Sequence, residues 1–176
     1  MILPQKFFER PTLNVAKDLL GKYLVRKYRG KIIKRMIMEV EAYDGFKDRA
    51  SHASRGLTKR NFPMFGPPAY WYVYFTYGMH WMLNIVTGLK NYPAAVLIRG
   101  VQGISGPARI TKFFKIDKNF NNKKAGWSTG LWIAAPKGQS ETKKWKVKSS
   151  ARVGVSYAGP VWSKRRYRFY LTRTEK

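Results

Sequence analysis

Residues 70–86, YWYVYFTYGMHWMLNIV, constrain the fold of this chain more than any other stretch. Seven of the first thirteen are aromatic: four Tyr, two Trp and one Phe. Aromatic and β-branched side chains suit a pleated, half-buried surface. Two strands, YWYVYFTY and HWMLNIV, are therefore predicted, joined as a hairpin around Gly78-Met79. Strand alternation separates Tyr70, Tyr72 and Tyr74 from Trp71, Val73, Phe75 and Tyr77. One row can serve the core, where Trp71, Val73 and Phe75 are expected, while the other meets a ligand.

The rest of the chain extends this β-rich reading. RPTLNVAKDLLGK reads as a short helix, capped by Thr12 or Asn14, with Leu13, Ala16, Leu19 and Leu20 at helical spacing and Gly21 ending it. KYLVRKY and KIIKRMIMEVEAY are strand-like and separated by Arg29-Gly30, a hairpin turn. Residues 44–69 are basic and rich in Gly and Pro, a loop long enough to be functional. AAVLIRGV reads as a buried strand, and SGPARITKFFKI as a helix with Ile110, Phe113 and Phe114 on one face. Residues 117–150 read as irregular apart from a strand at GLWIA, and ARVGVSYAG and YRFYLTR as C-terminal strands. The expected architecture is a single α+β domain over residues 1–176: a largely antiparallel sheet with a protruding hairpin.

Charge narrows the partners. The chain carries 35 Lys and Arg against 9 Asp and Glu, a net charge of +26. Such an excess repels itself on folding, and a polyanion is the plainest partner to offset it. Basic residues recur at 58–60, Arg99, Arg109, 118–124, 143–148 and 163–168, together a footprint for phosphates. A helix opening at Ser105-Gly106-Pro107 adds backbone amides that can hold one more. No apolar run of membrane-spanning length is present, so a membrane partner is not expected. The chain has no Cys and two His, which excludes disulfides, thiolate metal sites and a three-histidine site. The start lacks a signal-peptide pattern, and the expected location is cytoplasmic, associated with the nucleoid if the source is prokaryotic.

Against that background the acidic residues stand out. Glu39, Glu41, Asp44 and Asp48 place four of the nine carboxylates within ten residues. In a strand, Met36, Met38, Val40 and Ala42 would face one way and Glu39, Glu41 and Tyr43 the other. A carboxylate on a surface meant for a polyanion is unfavourable, which points to chemistry rather than solubility. Tyr77 and Met79 fall at the hairpin tip, where apolar bulk is costly to expose; proteins that kink duplexes insert such side chains between base steps. Asn84 interrupts an apolar strand, either to satisfy backbone groups or to read the edge of a base.

EVEAYDG, SHASRG, RN…MF, YVYFTYGMHWMLNIV, AAVLIRG, SGPARI and ARVGVSYAG, in this order and spacing, resemble the alkyladenine (3-methyladenine) DNA glycosylase family. The resemblance runs from about residue 5 to 172. It implies that Glu41 activates the attacking water, that Tyr43, His52 and Tyr74 wall a flipped base, and that Tyr77 fills the gap left in the duplex. It further implies that Asn84 discriminates against the exocyclic amine of guanine and that Arg99 lies beside the catalytic carboxylate. Met79 belongs to the same intercalating tip. Ser105, Gly106 and Arg109 match a segment on the DNA-facing side. The family works as a monomer on damaged double-stranded DNA, without cofactor or metal.

The implied reaction is hydrolysis of the N-glycosidic bond of an alkylated or deaminated purine (3-methyladenine, hypoxanthine and ethenoadenine among them), leaving an abasic site. No lysine stands at the position of Glu41, so neither a Schiff base nor strand cleavage is expected. Two departures from the family pattern are visible: His80, where many relatives carry a second tyrosine, and AGWSTGLWI after SGPARI. Composition alone would serve equally a non-catalytic nucleic-acid-binding protein or a lesion sensor, with the aromatics as a stacking platform.

Overall fold

A computed structural model describes residues 1–136 and 145–174. Four helices, α1 (Gln5–Phe8), α2 (Thr12–Leu19), α3 (Pro107–Phe114) and α4 (Gly159–Trp162), accompany nine strands among the described residues. The strands are β1 (Tyr23–Tyr28), β2 (Lys31–Asp44), β3 (Trp71–Thr76), β4 (His80–Val86), β5 (Ala94–Val101), β6 (Ile104–Ser105), β7 (Leu131–Ala134), β8 (Trp145–Ser150) and β9 (Arg168–Arg173).

The main path of the sheet runs β3-β4-β5-β2-β1-β7, with β6 beside β5 and the β8–β9 pair joined to β2. The strand pairings are antiparallel. The long strand β2 organises this arrangement. Its first half pairs with β1 through the Arg29-Gly30 turn, where both residues take positive φ (46° and 76°). Positive φ at both central residues is what a tight two-residue hairpin demands. Its second half pairs with β5 on one side and with β9 on the other.

Alternation then gives the sheet two unlike faces. Val40 and Ala42 of β2, Trp71 and Val73 of β3, Leu83 and Ile85 of β4, and Val96 and Ile98 of β5 form the main core. Val15, Ala16 and Leu19 of α2 and Ile110 and Phe114 of α3 belong to the same cluster. The residues between them in sequence, Glu41, Tyr43, Tyr72, Tyr74, Asn84, Leu97 and Arg99, take the opposite face, as a period of two requires.

Several local expectations are corrected. A register shift in β2 between Ile37 and Val40 breaks the strict alternation. Ile37 joins Val40 and Ala42 in the main core, whereas Met36 and Met38 pack in a second cluster with Tyr23, Val25 and Trp132. An added residue in one strand turns the side chains beyond it to the other face. Thr12 is the first residue of α2 and neither it nor Asn14 caps the helix; Pro11 precedes it, and the buried Thr12 hydroxyl accepts from Thr87 Oγ1 at 3.2 Å. Phe75 is 44% exposed, tilted against the Trp81 ring at 4.7 Å between centroids rather than buried, and Phe113 lies partly exposed near the Arg35 guanidinium.

ARVGVSYAG forms a turn and a short 3-10 segment instead of a strand, with Gly154 at φ 73° and Gly159 at φ 80°. The strand expected there lies earlier, at Trp145–Ser150, inside a segment read as irregular. Lys143 and Lys144 of the basic run 143–148 lie outside the described residues. The long loop 44–69 carries two 3-10 turns, His52–Arg55 and Phe62–Phe65. No helix among the described residues is long and apolar enough to cross a membrane.

Candidate active site

The polar face of the sheet, the 44–60 loop and the turn at 151–157 enclose a cleft of about 550 Å³. That volume lies within the roughly 300–1,000 Å³ of small-molecule sites. Beyond it, sharing Tyr43, Ser51, His52, Tyr74 and Tyr157 as walls, lies a small inner cavity of about 40 Å³ that also reaches Tyr72 and Asn84.

Glu41 stands at the centre of this region. It has no exposed surface and does not itself line the cleft, but three of its partners do. Its Oε1 accepts the Val153 amide at 2.7 Å and lies 3.4 Å from Arg99 Nε; its Oε2 accepts the Tyr43 hydroxyl at 2.9 Å. Burial raises the affinity of this carboxyl for a proton. Arg99, the Val153 amide, the Tyr43 hydroxyl and Arg152 act in the opposite direction, yet the net shift is upward. The Tyr43 hydroxyl, itself buried and facing that carboxylate, is held protonated and can only donate to it.

The other acids of the cluster have separate partners. Glu39 Oε1 receives Arg99 Nε at 3.0 Å and Arg168 Nε at 2.7 Å. Gly100 opposite makes room for it, since a Cβ there would stand 2.9 Å from Glu39 Cβ. Asp44 accepts from the Tyr92 hydroxyl at 3.2 Å, and Asp48 forms a bidentate pair with Arg152.

An aromatic wall faces the carboxylate. His52 meets Tyr74 edge-on at 4.7 Å between ring centroids, and Tyr74 lies 5.1 Å from Tyr72. His52 Nδ1 is 2.9 Å from the Tyr72 hydroxyl. Burial of that side of the ring, followed by the charge of Arg60, lowers the His52 pKa to about 4. His52 remains exposed towards the cleft, so solvent offsets part of that shift, but the ring is neutral at pH 7. Burial likewise raises the Tyr72 pKa well above the ordinary tyrosine value and pushes Tyr74 up to about 12. The wall is therefore uncharged at pH 7. Tyr72 was not among the expected wall residues; its row partner Tyr74 was, and alternation already placed the two together.

Asn84 is buried at the inner cavity, and its Nδ2 donates to the Tyr72 carbonyl at 3.1 Å. Tyr77 and Met79 sit on the turn between β3 and β4, 82% and 67% exposed. Tyr77 lines the mouth of the cleft and holds φ 51°, a left-handed conformation costing a non-glycine residue about 1–2 kcal/mol. Ser105, Gly106 and Arg109 surround the start of α3, whose Pro107 reaches the cleft. Ser105 and Arg109 themselves border a neighbouring groove with Glu39 and Arg168, so the structure does not bring them onto the cleft wall. Among the described residues, the basic side chains lining the cleft are arginines: Arg49, Arg55, Arg60 and Arg99.

Two structural residues escaped the sequence reading. Asn61, 1% exposed, ties the loop to itself: it donates to the carbonyls of His52 and Gly56 (3.0 and 2.8 Å) and accepts the Thr58 amide at 2.7 Å. An Asn beside a Pro-containing segment, between turn residues, is the available signal. Arg152 had none, because its partner lies 104 residues away. Among the described residues no group of three or more His, Cys, Asp or Glu is placed to hold a metal ion.

Comparison with known proteins places the chain in a family. The family model described as methylpurine-DNA glycosylase (MPG) matches residues 6–105 and 102–175. A Legionella pneumophila (strain Lens) protein is 41% identical over 176 residues, spanning 96% of this chain and 93% of its own. Relatives from Carboxydothermus hydrogenoformans (41%, 97% of this chain and 95% of its own) and Methanocella arvoryzae (39%, 96% and 92%) are similarly close. All three bear the name "Putative 3-methyladenine DNA glycosylase". With the family's motifs spread over nearly the whole chain, this protein belongs to the methylpurine-DNA glycosylase family.

Proposed function

We propose that this chain is a DNA repair glycosylase that extrudes an alkylated or deaminated purine from duplex DNA and hydrolyses its N-glycosidic bond, leaving an abasic site. The substrate class would include 3-methyladenine, hypoxanthine and ethenoadenine. The observation that carries the reading is a fully buried carboxylate, Glu41, whose bonding partners open onto a cleft walled by neutral aromatic rings.

Extrusion of a base costs a few kcal/mol, least for a damaged or mispaired one. Stacking on His52 and Tyr74 returns about 1–3 kcal/mol per base. Tyr77, exposed at the cleft mouth, would occupy the vacated stack and slow the base's return. Asn84, at the inner end, would read the purine edge. The four cleft arginines and the net charge of +26 supply the phosphate contacts.

Breaking the glycosidic bond develops positive charge on the sugar. Glu41, ionised, stabilises that charge and takes the proton of the water that adds to the anomeric carbon. Its raised pKa suits the second role, since a general base works best when its pKa approaches the working pH; such help is worth about 10²–10⁴ in rate. Arginine guanidinium does not form Schiff bases, so the cleft cations favour a monofunctional hydrolase. A monomer suffices, because the residues assigned these roles come from one chain.

Single-turnover base release from duplexes carrying hypoxanthine, ethenoadenine or 3-methyladenine tests the reading. Wild type should release the base and Glu41→Gln should bind the lesion without releasing it. Release by Glu41→Gln would remove Glu41 from the chemistry. Tight lesion binding with no release by wild type would make the protein a sensor.

A further inference from the structure

The deepest ion pair in the described structure lies behind the reacting group. Asp48 and Arg152 have no exposed side-chain surface; Oδ2 meets Nη1 at 2.5 Å and Oδ1 meets Nη2 at 2.8 Å. Asp48 also accepts the amides of Asp44 and Ala50, both at 3.1 Å. Burying two charges costs free energy that their attraction often fails to recover, and Arg152 Nε is buried without a partner. Stability alone therefore does not account for the pair; setting register is the better-attested use of such an arrangement.

The register it sets is specific. Arg152 Nη1 donates to the Ala42 carbonyl at 2.8 Å, and the next residue, Val153, donates its amide to Glu41 Oε1 at 2.7 Å. Consecutive residues of the 151–155 turn thus grip consecutive residues of β2. The guanidinium also lies 4.9 Å from the ring centroid of Tyr43, the second donor to Glu41. A second tie, the Tyr157 hydroxyl on the Ala50 carbonyl at 2.9 Å, joins the same two loops. We infer that Arg152, locked on Asp48, is a positioning residue that holds the Val153 amide on Glu41. This rests on the reading of Glu41 as the water-activating base.

The test is the pH profile of single-turnover excision in Arg152→Lys, Asp48→Asn and Tyr157→Phe, with unfolding midpoints and lesion-duplex affinity measured alongside. Glu41 is faced by Arg99 from β5, Tyr43 and Glu39 from β2, Tyr74 from β3, Arg168 from β9, and Arg152 and Tyr157 from the C-terminal turn. Arg152→Lys and Tyr157→Phe leave these charges in place. Loss of the amide contact destabilises the carboxylate, so the acid limb should move to higher pH. The expected movement in Arg152→Lys is about one unit, the size of one lost hydrogen bond to a charged group, and it should be smaller in Tyr157→Phe. Asp48→Asn discriminates further. Removing a negative neighbour by itself would move the limb down, so an upward shift identifies positioning.

Tyr157 is exposed, so Tyr157→Phe should stay folded even where the buried variants do not. Limbs unmoved or moved downward, with lowered unfolding midpoints only, would overturn the inference. If Glu41→Gln is inactive while these variants track wild type, this inference alone fails. If Glu41→Gln retains excision, the reading beneath it fails too.

Discussion

Arg99 Nε lies 3.4 Å from Oε1 of Glu41, a carboxylate with no exposed surface. This contact opposes the upward pull of burial on the Glu41 pKa, but does not cancel it. With Glu41 as the proposed water-activating base, excision would need it ionised, so activity should fall with an acid limb above the ordinary value of 4.5. Arg99→Gln removes the largest opposing influence and should move that limb to still higher pH. Single-turnover rates from pH 4 to 8 check this; an Arg99→Gln profile superimposable on wild type would contradict it.

The same shift makes a statement about stability. A carboxyl whose folded pKa exceeds its unfolded value contributes stability at low pH, and that contribution is lost as pH rises through the folded pKa. At pH 7 an ionised Glu41 therefore weakens the fold. Glu41→Gln should melt at or above the wild-type temperature at pH 7, by about 2–4 °C for each kcal/mol recovered. The difference should shrink near pH 4. Calorimetry at both pH values decides it, and a lower midpoint at pH 7 would refute the sign.

Tyr77 combines an exposed ring with a left-handed backbone. Tyr77→Gly should relieve roughly 1 kcal/mol of that strain, leaving the fold as stable as before or more so. Lesion affinity and base capture should drop all the same. Chemical denaturation paired with lesion-duplex titration separates these outcomes; unchanged capture would remove Tyr77 from the duplex.

DNA affinity should be steeply salt-dependent. If six phosphates are neutralised, log K should fall against log salt with a slope of about −5. Titration of undamaged duplex between 50 and 200 mM salt measures it. A nearly flat line would mean that the positive charge serves something other than the backbone.

Asn61→Ala should loosen the loop that carries His52. It leaves the Thr58 amide and the His52 and Gly56 carbonyls without their partner, at about 1–3 kcal/mol for each buried group left unsatisfied. Lowered stability together with weaker lesion binding is expected, seen by denaturation and by affinity for a hypoxanthine duplex.

Much of this was legible locally. Strand alternation in 70–86 placed Tyr72 and Tyr74 opposite Trp71 and Val73, and β5 spans the AAVLIRGV stretch read as a strand. Glu41 and Tyr43 share a face because they are two residues apart on one strand. Charge excess and the absence of thiols follow from composition alone. Periodicity is a short-range property of backbone geometry, so the order of residues suffices to determine it.

What tertiary structure decided depends on separations that no local pattern encodes. The bulge in β2 sent Met36 and Met38 to a different cluster from Val40. Positive φ at Gly154 and Gly159 turned ARVGVSYAG out of the sheet and put the Val153 amide, 112 residues from Glu41, on its carboxylate. The Asp48–Arg152 pair and the enclosure that raises the Glu41 pKa arise in the same way. The order of residues determines which groups are present and which way each strand turns them. Only packing of distant segments sets how far each group is removed from water and which charges it meets there, and these two quantities control its chemistry.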